Sequence, residues 1–433
     1  MEPAARLPHR AVPVHVRVTG PRRKAAPHMT SQLNTRATGC PYPHPPTMPR
    51  DGTPFRPSPS FARWRAEAPA TRMTAEDGNV GWFVTGYELA RQVLQDSRFS
   101  QADQRTPLGS APVPAETPID EETLHALVAG NVLGLDPPQH TKIRRVAVRR
   151  FSVRAVRGQR EAIGEFIERR LDEILAAGST ADLFEDFAVP VSVFAHCRVL
   201  GIPDGKADEF AALFATEEPR AGDMVRFAAE TLELKAGDLG EDTISDLLRS
   251  ELTAGERLGI TTVLMGSGRD AVAYMIGTIM VSLLSDPGQL ELLRREPGRI
   301  PAAVEEFVRF HAMFVSAHPR TVAEDVTLEG IDFRAGEPVW VSTVAANRDG
   351  ERFPDPDTFD VTREASGHLA FGHGIHACIG QQLARVTIAE AITRLLRRLP
   401  VLRLVEAEQR TPMAFAGNLP TYAPGTVRVS WDG

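Results

Sequence analysis

The sequence predicts a mainly α protein with a small β-rich part, and three observations predict it. Leu258 to Ser285 is a run of twenty-eight residues whose only charges are the neighbours Arg269 and Asp270. Apolar residues recur at helical spacing over Ser152–Ala177, Ile244–Leu252, Pro301–Phe310 and Ile379–Leu399. Strand-like runs are few and short: Val80–Val84, Val326–Leu328, Pro338–Thr343 and Val427–Trp431, parted by turns such as Ala335-Gly336 and Asn347-Arg348-Asp349-Gly350.

From the N-terminus, residues 1–49 are rich in Arg, Pro and Ala, carry Arg22, Arg23 and Lys24, and lack an apolar run of signal-peptide length, so they read as a disordered tail. Met29 is an alternative start. Residues 50–433 read as one domain, because no solenoid-period repeat and no low-complexity linker interrupts them. The Leu258–Ser285 run would span about 42 Å as a helix. Its central charge pair argues against a membrane span, since neither half reaches the roughly 20 apolar residues required. It is expected to pass through the core, and Gly266, Gly268 and Gly277 within it point to close backbone access, because each costs up to about 1 kcal/mol in a helix. Pro301 suits the first turn of its helix.

Forty-nine basic and 56 acidic residues give a net charge of −7, which excludes a general nucleic-acid binder. An apolar share of 42% excludes disorder over most of the chain. Cys40, Cys197 and Cys378 are too few and too scattered for a disulfide framework or a zinc site. A reducing, cytoplasmic setting follows as the expectation.

Chemistry concentrates in Phe371-Gly372-His373-Gly374-Ile375-His376-Ala377-Cys378-Ile379-Gly380. The glycines allow a tight turn that brings amide N–H groups toward the sulfur, and the helix that follows adds its positive end. Both favour a thiolate. A lone sulfur with no second cysteine nearby suits axial ligation of heme iron. The rival, Cys378 as nucleophile with His376 as base, lacks an orienting partner nearby.

This run resembles the heme-binding signature of the cytochrome P-450 superfamily, Phe-Gly-x-Gly-x-His/Arg-x-Cys-x-Gly, at every defined position. The resemblance extends over roughly residues 50–430. It implies heme b held between the central long helix and the cysteine loop with its helix, and Cys378 as the iron ligand. Phe371, Gly372, Gly374, His376 and Gly380 are then cofactor-binding. Glu306 and Arg309 resemble the family's Glu-x-x-Arg, with Arg363 as third member of a structural triad. His140 and Arg144, four residues apart on one helix face, resemble the family's His-x-x-x-Arg; with Arg320 and His376 they are the implied propionate partners.

One departure stands out. The family's central helix carries Ala/Gly-Gly-x-Asp/Glu-Thr, and here the run is Ser267-Gly268-Arg269-Asp270-Ala271. Asp270 keeps the acid, while Ala271 removes the hydroxyl that manages protons. Three explanations compete. Ser267, one helical turn before Ala271, supplies a substitute hydroxyl; the substrate supplies it; or the reaction is an oxidative coupling or desaturation without oxygen insertion. Arg269 is either an ion-pair or snorkelling partner or a group that positions Asp270.

By family position the substrate pocket draws on Met265, Gly268 and Val272 of the central helix. Phe314, Val315 and Ser316 follow it, and Asn418, Leu419 and Tyr422 close the set. Apolar and polar groups mix there, which suits a compact natural product of polyketide, aromatic or peptide-derived type. The function implied is oxidation of such a substrate by dioxygen, with electrons from a separate ferredoxin and ferredoxin reductase. Lys142, Arg145 and Arg149 are candidates for the ferredoxin dock or for an ordinary solvated face. A heme protein that binds ligand without turnover is the rival from another class, and Ala271 alone supports it. A monomer without a membrane anchor is expected.

Overall fold

Glycine, proline and capping side chains set where the helices begin and end in the computed structural model, which describes residues 45–75, 78–102, 120–214, 221–407, 414–416, 419–422 and 425–431. Most of the expected tail, with Cys40, and the pocket candidate Asn418 lie outside these residues. Eight helices position the site: α1 (Tyr87–Gln95), α2 (Gln139–Ala147), α3 (Arg160–Ala177), α4 (Val189–Leu200), α5 (Ala254–Gly266), α6 (Arg269–Ser285), α7 (Ile300–Phe310) and α8 (Gln381–Arg398). The expected helix over Ser152–Ala177 is two, Val153–Arg157 and α3, parted at Gly158-Gln159.

The main sheet has five strands, β1 (Ala70–Thr74), β2 (Val80–Val84), β3 (Phe99–Ser100), β4 (Arg320–Val322) and β5 (Pro338–Val341), in the order β1-β2-β5-β4-β3. Only the β2–β5 pair is parallel. β5 stops earlier than the sequence suggests, because Ser342 accepts a hydrogen bond from Ala345 N–H at 3.1 Å and caps the short helix Thr343–Ala346. Val326–Leu328 pairs with Ile331–Phe333, and Val427–Ser430 lies between Arg403–Ala407 and Thr180–Asp182.

The central segment differs most from expectation. It is not one helix: α5 ends at Gly266, Ser267 is extended, Gly268 takes φ +96°, and α6 restarts at Arg269. That positive φ favours glycine. Side chains of α4 hold carbonyls on either side of the break. His196 Nε2–H donates to the carbonyl of Leu264 at 2.9 Å, and Ser192 Oγ–H to that of Arg269 at 2.5 Å. Past the break, α6 is buried from Ala273 to Val281 and packs against α4 and α8, whereas α5 packs against Glu121–Gly130 and Ala221–Ala236. Among the described residues no single helix is long and apolar enough to cross a membrane.

Candidate active site

Cys378 lies between a turn and a helix, and both are shaped toward its sulfur. Cys378 N–H donates to Phe371 O at 2.8 Å and Ala377 N–H to Gly374 O at 3.1 Å, so the loop folds back on itself. Gly374 has φ +72°, and a Cβ there would come 2.7 Å from Leu94 O and 3.0 Å from Gln95 Cα at the end of α1. The loop reaches α1 only because that side chain is missing. α8 begins three residues beyond the cysteine, and the N–H groups of Gly380 and Gln381 face the sulfur. Cys378 keeps accessible surface, yet the sulfur's surroundings are those of an interior. Burial pushes the thiol up; the Gly380 N–H, the Arg144 and Arg385 guanidiniums and the Gln381 N–H pull the other way. A bound metal would tip that balance to thiolate. Cys197, by contrast, is buried and raised to about 12, an inert thiol.

Beside the loop, α2 and β4 gather a set of donors with too few acceptors. Helix α2 presents His140 and Arg144 one turn apart. The His140 ring is 4.2 Å from that of His376, and Arg144 donates to the carbonyl of Ala377. Arg320, 4% exposed, donates through Nη1 to Phe99 O at 3.1 Å. Both ring nitrogens of His140, Nε2 of His376 and Nε of Arg320 are buried with no partner. Burial, then the neighbouring His140, Arg320, Arg144 and His318, drives His376 down to about 3. Burial brings Arg320 down to about 10, with Asp136 opposing. Buried donors normally find partners. This cluster has the chemistry of a receptor for anionic oxygens, such as carboxylates.

Behind the loop, Glu306 and Arg309 of α7 form a fully buried bidentate pair at 2.6 and 2.9 Å. Arg363 Nε reaches Glu306 at 3.3 Å and its other nitrogens donate to the carbonyls of Pro354, Asp355 and Thr358. Arg309 also donates to Asn347 and Pro356 carbonyls at 2.8 and 2.9 Å. The three side chains thus pin irregular backbone that has no secondary structure of its own to satisfy it.

The helix break changes the reading of the proton-handling residues. Ser267 is on the extended side of the break, and its hydroxyl donates to Val263 O at 2.6 Å, so it does not share a helix face with Ala271. The idea of Ser267 as substitute hydroxyl is therefore corrected. Asp270 is exposed and takes Arg269 as its ion-pair partner; Arg269 also lies over the Phe214 ring at 4.8 Å. Ala271 and Val272 are half-buried and Gly268 is exposed. Of the pocket candidates, Met265, Val315 and Ser316 are fully buried, the last with an unpartnered hydroxyl, while Phe314 is half-buried. Tyr422 N–H donates to Met313 O at 2.9 Å, and the strand Leu419–Thr421 meets Phe314 through a bridge at Thr421. Lys142 pairs with Glu256 at 2.7 Å, whereas Arg145 and Arg149 are exposed.

Residues 300–420 match the family model for cytochrome P450. Over 364 residues the chain is 38% identical to the cytochrome P450 monooxygenase PikC of Streptomyces venezuelae, covering 80% of this chain and 85% of that one. The chain belongs to the cytochrome P450 family. This P450 is also 36% identical to the mycinamicin IV hydroxylase/epoxidase of Micromonospora griseorubida, over 78% of this chain and 86% of that one. Its fold matches the crystal structure of CYP105P1 in complex with filipin I, with TM-score 0.78 and 31% identity over 90% of this chain and 99% of that one. This P450 is a heme-dependent oxidoreductase, and its relatives are bacterial monooxygenases that tailor natural products. The donor cluster beside a lone thiol fits heme, whose propionates are carboxylates and whose iron takes one protein sulfur.

Sequence reasoning missed Arg385 and Glu305. Arg385 Nε and Nη2 hold Glu305 at 2.6 and 2.9 Å, and its guanidinium lies 4.6 Å from the Phe371 ring centre. The available signal was spacing: Arg385 is about two helical turns on from Cys378.

Proposed function

We propose that Cys378 would bind the heme iron through its thiolate, that His140, Arg144, Arg320 and His376 would hold the two heme propionates, and that the enzyme oxidises a compact natural product. The orphaned donors of His140, His376 and Arg320 beside the Cys378 loop carry this reading. When bound, heme with a thiolate ligand supplies dioxygen activation, which needs two electrons. Phe371, Gly372, Gly374 and Gly380 shape the loop that presents the sulfur, and Glu306, Arg309 and Arg363 brace it without taking part in chemistry. Asp270, oriented by Arg269, exchanges protons at its carboxylate with solvent.

Electrons come from a separate ferredoxin and its reductase. Arg145 and Arg149, exposed on and just after α2, form the basic part of the dock, while Lys142 is engaged by Glu256. The enzyme works as a cytoplasmic monomer. Mixed apolar and polar residues around Phe314, Ser316 and Tyr422 favour a polyketide, aromatic or peptide-derived substrate, in keeping with relatives named nocardicin C N-oxygenase and mycinamicin IV hydroxylase/epoxidase. Ala271 favours a second reading, in which the enzyme couples or desaturates its substrate without inserting oxygen.

The test is the reduced, carbon-monoxide-bound spectrum. The native enzyme is expected to show the red-shifted thiolate band and Cys378→Ala to lose it. Persistence of the band in Cys378→Ala overturns the assignment. Mass spectrometry of products formed under labelled dioxygen separates insertion from coupling.

A further inference from the structure

Two adjacent glutamates on α7 face different neighbours. Glu306 is consumed by the buried Arg309 and Arg363 pairs. Glu305 takes Arg385 from α8 in a two-point grip at 2.6 and 2.9 Å, and His368 Nε2 stands 3.3 Å from Oε2, the oxygen that Arg385 Nη2 also holds. Both members of the Glu305–Arg385 pair are about four-fifths buried, at 21% and 25% side-chain exposure.

Arg385 contacts two residues that hold Cys378 in place. Its guanidinium lies 4.6 Å from the ring centre of Phe371, and the carbonyl of Phe371 accepts the Cys378 N–H at 2.8 Å. Its Nη1 donates to Gln381 Oε1 at 3.0 Å, and the N–H of Gln381 is one of the two that face the sulfur. Arg144 and Arg385 each place positive charge near Cys378 that favours its thiolate. Arg385 carries a counter-charge, Glu305, that can set how much of its field reaches the sulfur.

We propose that Arg385 is a positioning residue that sets the reduction potential of the heme iron through Cys378, with Glu305 as the counter-charge that limits its effect. The inference rests on the proposed function, in which the Cys378 thiolate would bind the heme iron. Reduction adds one electron to the iron, and no bond forms or breaks in the protein. A nearby cation favours the reduced state and an anion disfavours it, more strongly in a partly buried site than in water.

The two members of the pair therefore have opposite signatures. In substrate-free holoenzyme titrated with dithionite, Arg385→Gln is expected to make one-electron reduction severalfold less favourable. Arg385→Lys keeps the charge and is expected to stay close to native. Glu305→Gln leaves the cation uncompensated and is expected to make reduction severalfold more favourable. A merely structural pair would move both neutral variants in the same direction or leave the potential unchanged, and either result overturns the proposal. If Arg385→Gln fails to take up heme, Glu305→Gln and Arg385→Lys still decide, because only the electrostatic role raises the first and spares the second. The red-shifted carbonyl band in each variant reports separately that the thiolate ligand is intact; its absence from the native enzyme would refute the ligand assignment and leave the pair's effect on potential to be read independently.

Discussion

Ala271 stands where the family's pattern has a threonine. It is half-buried at the start of α6, directly after the exposed carboxylate of Asp270. With Ser267 turned to Val263, no hydroxyl of the break stands in for the missing threonine. On the proposed function, organisation of the proton path falls to Asp270 and to the substrate. Ala271→Thr is expected to leave coupling of reductant to product within about twofold of native when the natural substrate is bound, because the substrate's own group already fills that role. Peroxide release per reductant consumed is the measurement. A severalfold fall in peroxide would show that the alanine is a deficit the substrate does not repair.

Elements make the site where residues alone cannot. The cysteine loop rests on the end of α1 because Gly374 lacks a side chain there: a Cβ would stand 2.7 Å from a carbonyl oxygen, and φ +72° is strained for other residues. Gly374→Ala is expected to cost about 1–3 kcal/mol and to lower heme content, read from the Soret-to-protein absorbance ratio. Gly298→Ala, where nothing lies within 4 Å, serves as the comparison and is expected to keep native heme content. Equal heme content in both variants would show that the loop does not depend on this contact. The loop and its cysteine were legible in the sequence because local motifs carry local geometry. The break between α5 and α6 was not, since it depends on His196 and Ser192, which arrive from α4 some seventy residues away in the chain. Arg385 was missed for the same reason. Its meaning comes from Glu305 and Phe371, and no spacing within α8 announces either partner.

Across the whole molecule, burial of histidines ties stability to pH. His311 is fully buried among the rings of Phe55, Phe310 and Phe359, and burial, then Arg348 and Arg309, takes it down to about 3. His196 falls to about 4 by burial, with Arg269 adding to the fall and the Leu264 carbonyl opposing it. Each lies below its ordinary 6.5, so the unfolded chain binds the proton first. Stability from these groups is complete above pH 6.5 and declines as pH falls toward 4, by up to about 1.4 kcal/mol per pH unit for each histidine. Glu305, held at about 2 by His368 and Arg385 against burial, adds its own loss only below its ordinary 4.5. The melting temperature is therefore expected to fall between pH 7.5 and 5 before carboxylates titrate. His311→Phe should lessen that fall, whatever its effect at neutral pH. An unchanged difference between the two pH values would remove His311 from the account.

The divided central segment also bears on how such an enzyme diversifies. α5 packs with Glu121–Gly130 and Ala221–Ala236, while α6 packs with α4 and with α8, the helix that follows the cysteine. The extended Ser267 and left-handed Gly268 between them act as a joint. Mutations that shift α5 and its companions need not be transmitted as a rigid rod into the half that carries Asp270 and Ala271. Substitutions can therefore shift α5 and its companions while α6 keeps its packing against α4 and α8.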